Sequence, residues 1–126
     1  ESLILEQGME DALERAFAYT AAGADAVMIH SRKKDPAEIF EFVEKFREQD
    51  SSTPIVVVPT SFNTVTEEEF KAHGVNVVIY ANQLTRTGFP AMQNAARTIL
   101  EHHRAKECDD MCMSIKDIIT LIPDEN

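Results

Sequence analysis

Three apolar runs, Ala24–Ser31, Pro54–Ser61 and Val75–Asn82, each end in polar residues for which a buried strand has no packing use. An amphipathic helical pattern follows each run, so strand and helix alternate along the chain. That alternation implies parallel strands joined by crossover helices. Ligands of parallel α/β sheets sit beyond the carboxyl ends of the strands. His30, Ser31, Thr60, Ser61 and Asn82 are therefore expected to gather on one face, and chemistry is expected there.

Composition narrows the function classes. The 126 residues, 44% of them hydrophobic, suffice for one core. The formal charge of −10 argues against nucleic-acid binding, because no basic stripe exists to neutralise phosphates and the one cationic cluster is Arg32–Lys34. No apolar run approaches the roughly 18 residues of a membrane span, and no secretory signal pattern opens the chain. Cys108 and Cys112 are too few for a disulfide scaffold. Reduced thiols in a cytoplasmic protein are the expectation.

Local signals place the elements. Leu3–Leu5 reads as the end of a strand, broken at Gly8. A helix follows to about Ala22, its inner stripe Ala12, Leu13, Ala16, Phe17, Ala18 and Tyr19, with Gly23 just past its end. The next strand is Asp25–Ile29. Asp35-Pro36 has the chemistry of an N-cap and first helical position, and Ile39, Phe40, Phe42, Val43 and Phe46 supply the buried face. Thr66 with Glu69 forms a capping box for a short helix ending at Gly74. After the strand Val75–Tyr80, a long helix is expected from about Gly88 or Pro90 to His103. Arg104–Asp110 reads as a charged linker, and Met113–Ile122 as a helical tail with Ile115, Ile118, Ile119 and Ile122 on one side.

This reading counts four parallel strand–helix units plus a short helical tail. A (β/α)8 barrel needs eight strands, whereas a four-stranded open sheet leaves two edges unprotected. The fold class expected is therefore α/β, the C-terminal half of a (β/α)8 TIM-type barrel. Residues 1–104 would form the half-barrel, and residues 105–126 a linker and tail packed on the barrel or on a neighbouring subunit. A small flavodoxin-like sheet is the alternative, although its Gly-rich phosphate loop is missing.

Several segments together carry a resemblance: Glu1–Ile4, Gly8–Ala16, Ala22–Ala26, the pattern His30-Ser31-x-Lys33-x-Asp35-Pro36, Val56–Thr60, Val78–Asn82 and Met113–Ile118. Their joint order resembles the phosphoenolpyruvate mutase and phosphonopyruvate hydrolase branch of the isocitrate lyase superfamily, over nearly the whole chain. The resemblance implies an enzyme that makes or breaks a phosphorus–carbon bond, interconverting phosphoenolpyruvate and phosphonopyruvate with Mg²⁺ on the way to phosphonates. Close relatives hydrolyse phosphonopyruvate instead. A loose phosphoryl transfer leaves the protein mainly to position the group and stabilise spread negative charge.

Carried over residue by residue, the resemblance matches His30 to the family's catalytic histidine at the end of the sixth strand. An imidazole there donates a hydrogen bond to a phosphoryl oxygen or, when protonated, offsets its charge. Glu1 matches an acidic residue at the end of the fifth strand, where it orients neighbours; a simple salt-bridge partner is the other reading. Ser31, Thr60 and Asn82 bind substrate or support those that do, and Lys33 lies in the matched loop. The family's nucleophilic aspartate, metal-holding carboxylates, gating loop and clamping arginine all map upstream of Glu1. Mg²⁺ ligands are accordingly expected outside this chain, and the 126 residues are expected to be inactive alone.

The remaining features have plainer readings. Glu10-Asp11, Glu67–Glu69 and Asp109-Asp110 read as helix starts and solvated surface. The spacing of Cys108 and Cys112 does not suit a zinc site. Phe89, Met92, Ala95, Ala96, Ile99 and Leu100 form one apolar stripe. In this superfamily the eighth helix commonly swaps onto a neighbouring barrel, so a homodimer or tetramer with a swapped last helix is expected. A phosphonopyruvate hydrolase, another lyase or hydrolase of the superfamily, and a non-catalytic half-barrel interaction module remain as alternatives.

Overall fold

A computed structural model describes residues 1–122. The order is α1 (Gly8–Ala21), β1 (Val27–Ile29), α2 (Ala37–Arg47), β2 (Ile55–Val57), α3 (Glu67–His73), β3 (Val77–Val78), α4 (Gln83–His102), a 3-10 helix at Lys106–Met111 and α5 (Ile115–Ile119). The chain divides into two compact units, Glu1–Ala81 and the residues from Asn82 onward.

In the first unit β2 lies between β1 and β3, and both pairings are parallel, with Met28 opposite Val56 and Val57 opposite Val78. Two neighbours running the same way oblige the chain to return over the sheet between strands. α2 and α3 make those returns. Val27 and Ile29 of β1 and Ile55 and Val57 of β2 are buried, whereas Met28, on the opposite face, is 57% exposed. One face of the sheet thus carries the core of this unit.

That core is aromatic. Ile39, Phe42, Val43 and Phe46 of α2 meet Ala12 and Ala16 of α1, together with Phe62, Phe70 and Val75. Phe46 stacks on Phe17 with centroids 5.0 Å apart and on Phe42 at 5.8 Å, and Phe62 meets Phe70 edge-on at 6.2 Å. Burying each such ring contributes about 1.5–3 kcal/mol. The stripe expected on α1 is accurate at Ala12 and Ala16 but not at Ala18 and Tyr19, which are exposed.

The caps expected on α3 are present. Thr66 Oγ1 accepts from the Glu69 amide at 3.2 Å and Glu69 Oε2 accepts from the Thr66 amide at 2.8 Å, closing the capping box. Asp35 Oδ1 accepts from the Ala37 amide at 2.9 Å, but the helix starts one residue later than expected, so Pro36 and not Asp35 stands at the N-cap of α2. Gly74 closes α3 in the left-handed region, with φ +96°. A Cβ at Gly74 would also stand 3.2 Å from Arg47 Nε, so two constraints select glycine there.

Arg47 is a clamp at the amino edge of the sheet. Its guanidinium donates five hydrogen bonds: two to the Gly74 carbonyl, one each to the carbonyls of Asp50 and Thr53, and one to Asn76 Oδ1. Asn76 Oδ1 also accepts from the Ile55 amide at 2.9 Å, while the Asn76 amide donates to the Ile55 carbonyl at 3.0 Å. The start of β2 is thereby fixed beside the segment that enters β3. In the turn before β2, Asp50 takes hydrogen bonds from the Thr53 hydroxyl and from the Thr53 and Ser52 amides, which hold its carboxyl down to about 2.

Four parallel units were expected, and the described residues contain three strands. Glu1–Leu5 is not a strand. Its few apolar residues satisfy the backbone locally, with the Leu5 amide donating to the Glu1 carbonyl and the Gln7 amide to the Ser2 carbonyl, both at 2.9 Å. The other strands are shorter than their apolar runs, because ladder pairing exists only where a neighbour is in register. The likeness to a TIM-type barrel is thus one of parallel α/β layering; the count of four is corrected to three.

The second unit is built on α4, which begins at Gln83 and carries Pro90 inside it, earlier than the expected start at Gly88 or Pro90. Proline removes one intrahelical donor, and the Thr87 hydroxyl bonds the Gln83 carbonyl at 2.7 Å in that stretch. The expected charged linker is instead the 3-10 helix, which buries Cys108 with its thiol donating to the Ala95 carbonyl. Burial pushes that thiol up, away from the reactive thiolate. Ser114 Oγ accepts from the Asp117 amide and caps α5. Residues 123–126 of the expected tail lie outside the described residues. Among the described residues no helix is long and apolar enough to cross a membrane.

Two outcomes follow from the amino edge. Arg47→Ala is expected to lower the unfolding free energy by about 1–3 kcal/mol in urea denaturation, because several part-buried carbonyls lose a charged donor together. Asp50 has a folded pKa below its unfolded value of 3.8, so its stabilisation is present above that value and lost as pH falls toward 2. Asp50→Asn is therefore expected to lower the unfolding midpoint at pH 5, with the gap from the native chain shrinking between pH 4 and pH 2.

Candidate active site

The carboxyl ends of β1 and β2 open into two loops, and most of the expected site residues lie on them. His30 follows the last residue of β1 directly and is half-buried. Its ring stands 6.1 Å from Phe62, tilted by 51°, and the fully buried Phe62 gives it a firm wall. Nδ1 of His30 is buried and has no hydrogen-bond partner among the described residues. A buried ring nitrogen without a partner forfeits about 1–3 kcal/mol, so its place at the carboxyl edge marks it for an outside acceptor or donor.

Ser31 is fully buried, and its hydroxyl is already engaged. Oγ donates to the Glu38 carboxylate and accepts from the Lys33 amide at 3.0 Å. The second oxygen of Glu38 holds the Lys33 ammonium, whose pKa is raised by that hydrogen bond and by the nearby carboxylate charge. Ser31, Lys33 and Glu38 therefore lock the loop after β1 onto the first turn of α2. Ser31 serves as a brace behind His30. Lys33 is bound rather than free to reach an anion.

Thr60 and Ser61 sit past the end of β2, half-buried, and the Thr60 amide donates to the Val58 carbonyl at 2.8 Å. With Arg32, Lys34, Asn63 and Thr64 they line a polar cleft of about 360 Å³. Glu1 lies elsewhere. It is exposed and lines a separate cavity of about 180 Å³ with Ser2, Arg15, Tyr19 and Met28. Asn82 belongs to the second unit, where it opens α4 without a side-chain capping bond; its Oδ1 is buried and has no partner among the described residues.

Sequence reasoning missed Glu38 and Phe62. Glu38 carried a usable signal, an acid in the first turn of a helix seven residues after a strand-ending serine. Phe62 was visible only as a large apolar residue inside a polar loop. The described residues do not fit a divalent cation: no three His, Cys, Asp or Glu side chains come together in a way that could hold one. Hard cations need several oxygen ligands converging on one point.

The sequence pattern of the phosphoenolpyruvate phosphomutase family matches residues 1–100. The phosphoenolpyruvate phosphomutase of Tetrahymena pyriformis is 37% identical over 121 residues, spanning 96% of this chain and 39% of that protein. The phosphonopyruvate hydrolase of Variovorax sp. (strain Pal2) is 38% identical over 126 residues, spanning 99% of this chain and 42% of the relative. A crystal structure of phosphonopyruvate hydrolase in complex with oxalate and Mg²⁺ superposes with a TM-score of 0.84 at 38% identity, covering 96% of this chain and 42% of that one. The chain thus spans about two fifths of the length of the curated relatives it matches. With the strand-ending histidine, the parallel layering and the match over residues 1–100 in agreement, the chain belongs to the phosphoenolpyruvate phosphomutase family.

Proposed function

We infer that the protein carrying this chain is a phosphoenolpyruvate mutase, an isomerase that interconverts phosphoenolpyruvate and phosphonopyruvate. The observation that carries the reading is His30, half-buried at the carboxyl end of β1 with an unpartnered ring nitrogen, in a chain of this family. In the isomerisation a phosphoryl group leaves the enol oxygen for the methylene carbon, or returns, with no net gain or loss of atoms. Its spread negative charge is what a positioned hydrogen-bond donor stabilises. His30 supplies that donor to a phosphoryl oxygen, Phe62 fixes the ring, and the Ser31–Glu38 brace holds the loop that carries it. Thr60 offers a hydroxyl to the substrate from the neighbouring strand end. Glu1 and Asn82 belong to the proposed supporting set.

Residues 1–104 are proposed as the C-terminal half of a (β/α)8 barrel and residues 105–126 as its linker and tail. Mg²⁺ is the cofactor of the whole protein, with ligands supplied from outside this chain. An oligomer with a swapped last helix, a dimer or tetramer, is supported by the apolar side of α4, where Phe89 is 62% and Leu100 73% exposed. Two cysteines, both free, suit a cytoplasmic protein.

A phosphonopyruvate hydrolase is the second reading, favoured by the 38% identity to the Variovorax enzyme. Phosphorus NMR of the full natural polypeptide with phosphonopyruvate and Mg²⁺ separates the two. Phosphoenolpyruvate as product supports the mutase, inorganic phosphate with pyruvate supports the hydrolase, and absence of turnover leaves a non-catalytic role. In the active protein His30→Ala is expected to lower kcat by about 10²–10³-fold. Phe89→Glu with Leu100→Glu is expected to convert the oligomer to a smaller species in sedimentation velocity, and an unchanged sedimentation coefficient would remove α4 from the interface.

A further inference from the structure

The protein is strongly acidic, with a formal charge of −10, and six of its twelve Lys and Arg side chains are already engaged. Arg15 pairs with Asp11, Lys33 with Glu38, Lys45 with Glu41, Arg104 with Glu107 and Lys106 with Asp109, and Arg47 is consumed by backbone carbonyls. Among the described residues Arg32 and Lys34 have neither an ion pair nor a side-chain hydrogen bond, as is also true of Lys71, Arg86, Arg97 and Lys116, but Arg32 and Lys34 stand together in one loop. Both line the same cleft, whose remaining walls are the side chains of Thr60, Ser61, Asn63 and Thr64. Lys33, between them in sequence, is held by Glu38. The loop after β1 thus presents two unneutralised cations to a cleft otherwise rich in hydroxyl and amide groups.

We propose that this cleft is a capture subsite for the substrate's anionic groups, which concentrates a small polyanion at the carboxyl edge before it reaches His30. The proposal rests on the function proposed above and adds to it a residue set that acts on association. An acidic protein repels a phosphonate or phosphate carrying a carboxylate. A local patch of opposite sign in a cleft reverses that field over short distances and raises association rates. Hydroxyl and amide groups complete the cradle because they donate to oxyanions at little desolvation cost. Such a subsite binds the arriving anion without touching the reacting bond, so it moves kcat/KM and leaves kcat alone. Its effect also fades with salt, since the screening length falls from about 10 Å at 0.1 M to about 3 Å at 1 M ionic strength.

The test uses the full natural polypeptide. Arg32→Gln with Lys34→Gln is expected to lower kcat/KM for phosphonopyruvate by about 5–20-fold at low ionic strength, with kcat within twofold. The gap should close as salt rises toward 1 M. Lys45→Gln with Lys71→Gln removes the same charge from the last turns of α2 and α3, outside the cleft, and should change neither constant. Equal loss in both double variants, or a fall in kcat matching the fall in kcat/KM, would overturn the subsite while leaving the proposed reaction standing. A native protein that turns over no phosphonopyruvate would instead remove the reaction. The cleft would then be decided by titrating inorganic phosphate against the backbone amide signals of Arg32–Lys34 and Thr60–Thr64. Shifts abolished in the cleft variant uphold it, and unmoved signals overturn it.

Discussion

β2 runs parallel to both of its neighbours, and the rest of the first unit is a consequence of that. Parallel pairing forbids a tight hairpin, so the chain must cross back over the sheet twice, as α2 and α3. Those helices need an apolar face against the strands, which Ile39, Phe42, Val43 and Phe46 provide for α2 and Phe70 for α3. Because all three strands point the same way, their amino ends share one edge and their carboxyl ends the other. Stability and chemistry then separate. Arg47, Asn76 and Asp50 tie the amino edge with dense hydrogen bonding, while the carboxyl edge keeps an unpartnered imidazole nitrogen and an open cleft.

Charge is distributed with the same division. Carboxylates cover the helices and neutralise several cations locally, as Glu41 does Lys45 and Asp11 does Arg15. Surface pairs of this kind contribute little to stability, and their larger consequence is that only half of the positive side chains remain free. Glu38 does more, since one carboxylate engages both the buried Ser31 hydroxyl and the Lys33 ammonium. That double contact fixes the backbone from which His30, Arg32 and Lys34 project. A loop that would otherwise pay conformational entropy to present a ring and two cations is held by the helix it precedes.

Much of this was legible in the residues. The capping box at Thr66 and Glu69, glycine after α1 and α3, the aromatic face of α2 and the placement of His30 and Thr60 after strands all depend on neighbours within a few positions. The Glu1–Leu5 segment was misread as a strand, because an apolar triplet is compatible with a strand yet closed its own hydrogen bonds in a turn. The start of α4 was misplaced because Pro90 resembles a helix opening, whereas here it lies inside the helix. Position alone leaves Ser31 either a substrate ligand or a support for one. Its partner Glu38, seven residues on, shows the hydroxyl to be occupied.

By itself the sequence determined the α/β alternation, the buried helix faces and the polar residues that end the strands, since these follow from short-range sterics and apolar periodicity. Only the tertiary structure decided which polar groups are satisfied and which are left open. Arg47 meets Gly74 and Asn76 across 27 and 29 residues, Phe62 comes to lie beside His30, and Arg32 and Lys34 share a cleft with Thr60 and Thr64. Those juxtapositions depend on where the crossover helices return the chain, a property of the packed sheet that no local pattern encodes.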